Sequence, residues 1–545
     1  MDDIKELFKP QTKNVKQIFG DADSYYQIPD YQRQYSWKTE QIEQLWDDVY
    51  AAMEIDQETY FLGALILTNP GSGYFEVVDG QQRLTTLTIL LCVIRDFYFK
   101  KDNVLIDSIK SLVRGEYRLR LITQSNYQNR FEKEILDAVK LPPSRLTKEE
   151  READPFINAV QIFKDKLKTI RGGNQSVKEF LEYLMNRVVL ITITCSNQAF
   201  AIKLFQVLNT RGLDLTNTDL IKSHLFGNCG KDKLSQLKSS WNQIETIAED
   251  VDDDDTDRII TYFGLSVLER NPRSTLSADL LDHKSFKTKD SNSIVFEMLK
   301  FSKAYKELYN THTKLMYSFW YLPNDIYWKS ILTTALCYDY KDFERLSQYL
   351  RKFYWSYWIA GYTISKIKQT SFNLIAWIKA NKQISFIEKE IEKKMREDNV
   401  RSSMREKLDG DVYGERWLKP ILLLVEYSRT DDAKPTWIEW DKNLQIEHVL
   451  HEKWAANPDW KKMWNDDQAR LWQQRLGNLT LLSGRKNSVA SNDSFKKKKV
   501  AYRKTGGMTA FEITKELLEV DEWTEIEVKK RHANLKQDIL KILDV

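Results

Sequence analysis

Apolar positions over the first 225 residues follow two periods. FLGALIL (61–67), FEVVDG (75–80) and VVLITIT (188–194) have the length and composition of strands. After the second of them, Leu84, Leu87, Leu90, Leu91 and Ile94 recur at helical spacing. This part of the chain therefore reads as α+β. From about 258 to 430 the pattern is helical and rich in aromatics, as in KFYWSYWIAGY (352–362). Aromatics at this density could stack on bases, but helical core packing is the expectation. The stretch DDAKPTWIEWD (431–441) then leads into a compact C-terminal segment. The predicted division is an α+β domain over 1–230, a helical middle region over 231–430 and a C-terminal domain over 431–545.

Composition adds limits rather than a function. Charged residues make up 30% of the 545, yet the net charge is only +3. Nucleic-acid contact must then come from a local basic patch, not from the field of the whole chain. The acidic run EDVDDDDTD (249–257) reads as a solvated loop, the alternative being an electrostatic mimic or gate of a DNA groove. Cys92, Cys195, Cys229 and Cys337 lie far apart without a CxxC pair, so neither a zinc cage nor a disulfide framework is expected. The N-terminal MDDIKELFKP lacks an apolar signal core, and no run approaches the roughly 18 apolar residues of a membrane span. A soluble cytoplasmic protein with no membrane partner is the expectation.

The clearest chemistry lies in NLQIEHVLHEKW (443–454) and RLGNLTLLSGRKNSVASNDSFKKKKVAY (475–502). Glu447 and His448 are adjacent at the end of an apolar strand, Asn478 sits in a Gly-Asn turn, and Asn487 follows nine residues later. A hard cation such as Mg²⁺ takes oxygen ligands from Glu and Asn, and a neutral His beside it can take a proton from water. Order and spacing resemble the HNH, or ββα-metal, nuclease motif. The resemblance implies His448 as general base, Glu447 and Asn487 as ligands of Mg²⁺ or Mn²⁺, and Asn478 as the brace of the loop. His451 stands where that motif often has proline and is given no catalytic role. Residues 485–504 hold eight Lys or Arg against the single acid Asp493. Arg485, Lys486, Lys496, Lys498 and Lys499 are the expected contacts to DNA phosphates. Asn492, Phe495, Lys498 and Tyr502 also look like the family ending, with Phe495 a core anchor.

Three N-terminal segments offer groups for an anion: YQIPDYQRQYSW (26–37), VVDGQQRLTT (77–86) and AIKLFQVLNTRGLDLTNTDLIKSHLF (201–226). Arg33, Arg83 and Arg211 can fork onto phosphate, and Gly80 lets backbone approach. The amides opening the following helix, with Thr85 and Thr86, suit its positive end. Asp79 could hold Mg²⁺ or brace an arginine. The alternative is that these residues knit an internal interface. No GxxxxGK[ST] occurs, which excludes a P-loop.

The segments IPxYQRxYSW, YFLG, VDGQQRLTT and LNTRGLxLTxxDLIK resemble the N-terminal domain of GmrS, of the ParB and sulfiredoxin-like fold. Joined to the HNH-like segment, the layout resembles single-chain GmrSD-type, modification-dependent restriction endonucleases over roughly 15–226 and 440–505. The resemblance implies a nucleoside triphosphate site built from Tyr31, Arg33, Asp79, Gly80, Gln81, Gln82, Arg83, Thr85, Thr86, Asn209 and Arg211. It leaves GTP, ATP, UTP and CTP undetermined. It further implies NTP hydrolysis that gates cleavage of double-stranded DNA, modified by glucosylated hydroxymethylcytosine or phosphorothioate. A homodimer would let two such sites cut both strands. The rival is a nucleotide-switched, ParB-like DNA-binding or adaptor protein with a vestigial nuclease domain.

Overall fold

The computed structural model describes the chain except residues 1–7, 114, 142–146, 148–149, 151, 198–199, 202–203, 205–215, 252–254, 432–433, 442, 484–492 and 504–510. It divides into two compact units, Met1–Lys238 with Asp290–Asn292, and Ser239–Lys289 with Ser293–Val545. The class is mixed α+β and mostly helical.

The first unit is organised by a mixed sheet. Its strands are β1 (Phe8–Asn14), β2 (Tyr26–Gln27), β3 (Tyr60–Thr68), β4 (Phe75–Asp79), β7 (Leu121–Ile122) and β8 (Val188–Cys195), in the order β1-β8-β3-β4-β2-β7. A small separate ladder pairs β5 (Lys110–Val113) with β6 (Glu116–Leu119). The three apolar runs expected as strands become β3, β4 and β8. β3 runs parallel to β8 and antiparallel to β4, with Ile66 opposite Asp79. Against the sheet lies the Gln81–Phe97 helix, which is buried almost all round, as a helix with apolar residues on every face must be. Trp46, on the Thr39–Glu54 helix, packs its ring 4.6 Å from that of Phe180.

The second unit begins as a helical array. Phe353, Tyr354, Trp355 and Tyr357 of the Phe343–Ile359 helix are buried, so the aromatic density serves core packing. In the acidic run, Asp250 pairs with Lys306, and Asp255 caps the Thr256–Leu268 helix by accepting from the Arg258 amide at 2.9 Å. Residues 252–254 of that run lie outside the described residues.

The C-terminal segment shares this unit. β9 (Leu444–His448) pairs antiparallel with β10 (Leu479–Ser483), and the Phe495–Arg503 helix follows. The Glu525–Leu543 helix closes over the Gly-Asn turn before β10. A Cβ on Gly477 would sit 2.4 Å from the Val528 carbonyl oxygen, so glycine is what allows this approach. Buried Arg531, on the same helix, donates to the Gly477 and Leu479 carbonyls at 2.8 Å each. Among the described residues no helix is long and apolar enough to cross a membrane.

Candidate active site

The antiparallel register sets Leu479 opposite His448 and Thr480 opposite Glu447. Asn478, immediately before β10, is fully buried and uses its whole amide. Its Oδ1 accepts from the Leu450 amide (2.7 Å) and from Trp523 Nε1 (3.0 Å). Its Nδ2 donates to the carbonyls of Leu450 (3.0 Å) and Gln473 (2.9 Å). A side chain with two donors and two lone pairs has nothing left for a ligand. Asn478 therefore clamps the chain just beyond the Glu447-His448 pair.

Glu447 is buried at the strand end. Its Oε1 accepts from Lys498 Nζ at 2.7 Å and from the Tyr502 hydroxyl at 3.4 Å. Burial pushes the Glu447 carboxyl above the usual carboxylate range, with Lys498 opposing. Burial likewise pushes the Lys498 ammonium below its ordinary value, with Glu447 opposing. Lys498 is 0% exposed and also donates to the His448 carbonyl at 2.7 Å. The expectation that Lys498 contacts DNA phosphate is corrected by this geometry: its charge points inward. The local signal was present, because Phe495, Lys498 and Tyr502 fall at i, i+3 and i+7, the buried stripe of their helix. On the same helix Lys496 is exposed, while half-buried Lys499 donates to the Val520 carbonyl at 2.6 Å.

His448 is 7% exposed. The Tyr413 ring lies against its imidazole at 4.2 Å, and His448 Nε2 sits 3.1 Å from Gln474 Oε1. Burial holds the imidazole below the ordinary histidine value, which keeps it neutral and able to accept a proton. His451 stays outside this arrangement; its Nδ1 accepts from the Lys453 amide at 2.9 Å. Phe495 packs against Trp460 and Trp523 as a core anchor. Arg485, Lys486 and Asn487 lie outside the described residues. Tyr413 and Gln474 carry no sequence signal of their own and reach His448 only through packing, while Glu452, four residues on, lies 4.0 Å from His448 Nε2.

The polar turn of the first unit is built just as locally. Gly80 caps the Gln81–Phe97 helix at φ 92, and a Cβ there would meet Leu65 Cδ2 at 2.3 Å. Among the described residues, no side-chain cap of the opening amides of that helix is made at its N-cap. Arg83 Nη1 donates to the Ala64 carbonyl at 2.8 Å, and its Nη2 lies 3.5 Å from Asp79 Oδ2. Burial raises the Asp79 carboxyl, opposed first by Arg83 and more weakly by Arg33. Gln82 accepts from the Ser36 amide and donates to the Gln34 carbonyl, both at 2.9 Å. Thr86 Oγ1 meets the Tyr35 hydroxyl at 2.9 Å and donates to the Gln82 carbonyl at 2.8 Å. These two residues hold the 31–36 loop against the helix rather than presenting free groups. Tyr31 and Thr85 are buried, and buried Gln81 Oε1 has no hydrogen-bond partner among the described residues. Asn209 and Arg211 lie outside the described residues.

Comparison with known families decides what these two arrangements belong to. Residues 15–226 match GmrSD restriction endonuclease, N-terminal domain. Residues 395–538 match GmrSD restriction endonucleases, C-terminal domain. The chain belongs to the GmrSD restriction endonuclease family. No individual curated protein matches it significantly. As a GmrSD enzyme it is a modification-dependent restriction nuclease of defence, and its substrate is DNA. The C-terminal GmrSD match begins at 395, well before the 431 boundary expected from sequence, and so takes in Tyr413.

Proposed function

We propose that this GmrSD enzyme is an NTP-regulated, modification-dependent DNA endonuclease or nickase with an HNH active centre at the end of β9. The observation that carries the proposal is the neutral, buried His448 beside Glu447, on a two-stranded ladder braced by Asn478 and followed by a helix. His448 takes the proton from the attacking water, and the phosphodiester is hydrolysed. Glu447, with Asn487, would hold Mg²⁺ or Mn²⁺. The donor chemistry fits, since the Glu447 carboxylate already binds a positive charge, the Lys498 ammonium. Among the described residues no three His, Cys, Asp or Glu side chains converge, so one carboxylate and neutral oxygens suit the site better than a multi-carboxylate cage. A bound divalent ion would supply charge neutralisation at the phosphate oxygens.

The N-terminal domain, read as ParB-like, binds a nucleoside triphosphate at the uncapped opening of the Gln81–Phe97 helix. Arg83 and Arg33 supply charge there, and Gly80 supplies clearance. Gln82 and Thr86 act by holding the 31–36 loop. Nucleotide turnover gates cleavage of glucosylated or phosphorothioated double-stranded DNA, with pairing of two chains cutting both strands.

The test is cleavage by His448→Ala on unmodified, glucosylated and phosphorothioated DNA, with divalent metal and with or without each NTP. Loss of scission with folding and NTP turnover retained is the expected result. Undiminished scission removes His448 from catalysis. The adaptor reading draws on the engagement of Glu447 by Lys498, and it predicts NTP-dependent DNA binding without scission by the unaltered chain.

A further inference from the structure

We propose that Gln474, oriented by Glu452, is a positioning residue that holds His448 in the tautomer protonated at Nε2, leaving Nδ1 as the proton acceptor. The inference rests on the nuclease reading of His448 and adds to it which nitrogen acts and what selects it.

An ionised carboxylate can only accept hydrogen bonds. Glu452 Oε1 lies 3.3 Å from one end of the Gln474 amide, which must therefore be its NH₂. That settles chemically an orientation that an amide's shape leaves ambiguous. The other end of the Gln474 amide, Oε1, then faces His448 Nε2 at 3.1 Å. A carbonyl oxygen has no proton to give, so the hydrogen between them belongs to Nε2. In a neutral imidazole the second nitrogen is then the one with a free lone pair. No hydrogen bond to Nδ1 is made among the described residues.

Gln474 is itself held from behind. Its backbone carbonyl accepts from the Val412 amide at 2.9 Å and the Tyr413 amide at 3.1 Å. The same turn lays the Tyr413 ring against the imidazole. Next to it, Gln473 donates to the His451 carbonyl at 2.8 Å. Ring plane and donor atom are thus set by the 473–474 segment and the 412–413 turn bonded to it, with Gln474 four residues before Asn478. Partners of this kind beyond the reacting groups are worth about 10- to 100-fold in activity when removed.

Three measurements on the full chain test this. In [¹⁵N]histidine-labelled protein at pH 8, with His448 assigned by its absence from His448→Ala, the Nε2 signal should be that of a protonated nitrogen and the Nδ1 signal that of a bare one. A protonated Nδ1 overturns the proposal. Gln474→Leu should lower kcat for DNA cleavage about 10- to 100-fold with KM for DNA unchanged, whereas unchanged kcat overturns it. Glu452 Oε1 also lies 4.0 Å from His448 Nε2, beyond hydrogen-bond reach, so its hydrogen bond to Gln474 is the route by which it acts. Glu452→Gln should lose less, and the double variant should be no worse than Gln474→Leu; additive losses overturn that order of action. If His448→Ala still cleaves, the nuclease reading fails, while the tautomer measurement stands independently.

Discussion

The inward lysine of a basic run offers the sharpest quantitative test. Lys498 and Glu447 side chains are 0% and 6% exposed and meet at 2.7 Å. Burial disfavours both charges, so the pair has little net advantage over a well-packed apolar pair. Breaking it is another matter. Lys498→Met leaves the Glu447 carboxylate buried without its counter-charge and removes the donor to the His448 carbonyl. The expected loss is about 3–5 kcal/mol. Adding Glu447→Gln removes the stranded charge, so the double variant should recover about 1–3 kcal/mol relative to the sum of the single changes. Urea denaturation followed by tryptophan fluorescence reads this unit directly, because of the 16 tryptophans all but Trp37 and Trp46 lie in it. If Lys498→Met stays within about 0.5 kcal/mol of the unaltered chain while DNA binding weakens, the lysine faces DNA and the buried pair is refuted. Exposed Lys496 serves as the contrast. Lys496→Ala should leave stability within about 0.5 kcal/mol and reduce the salt dependence of DNA binding by about one charge.

Other perturbations probe the first unit and the acid response. Gly80→Ala combines a left-handed backbone with a methyl 2.3 Å from Leu65 Cδ2, and should cost about 2–4 kcal/mol in thermal or urea unfolding of that unit; an unchanged midpoint would contradict the cap geometry. Gln82→Leu strands the Ser36 amide and the Gln34 carbonyl, with an expected loss of about 1–3 kcal/mol and faster hydrogen exchange at Ser36. Asp279 is held down to about 2, first by the Arg273 amide and then by Arg270. Because its folded value lies below the ordinary 3.8, its contribution is complete above about pH 4 and fades as pH falls toward 2. Asp279→Asn should melt earlier than the unaltered chain at pH 7, with the gap narrowing below pH 4; a gap independent of pH would show that the charge contributes nothing.

Much of this molecule was legible along the chain because its signals are local. Strand runs at 61–67, 75–80 and 188–194 emerge within two residues of their ends, since period and β-branched content act on each segment alone. Gly80 was legible as a point of close approach and Gly477-Asn478 as a turn, and the structure supplies Leu65 and the Val528 carbonyl as the neighbours that require glycine there. The family resemblance, drawn from the two sets of motifs, holds for both ends of the chain.

Tertiary structure decided where the polar side chains point. Asn478 was expected to brace its loop, and only the fold supplies the four groups, from Leu450, Gln473 and Trp523, that its amide holds. Gln82 and Thr86 looked ready for an anion and instead hold a loop 46 to 51 residues away in sequence. Gln474 reaches His448 across 26 residues, and no local period encodes that meeting. Backbone preferences are properties of a few neighbouring residues and can be read from sequence. A polar group's partner depends on which distant segment packing brings within about 3 Å, and only the folded chain determines that.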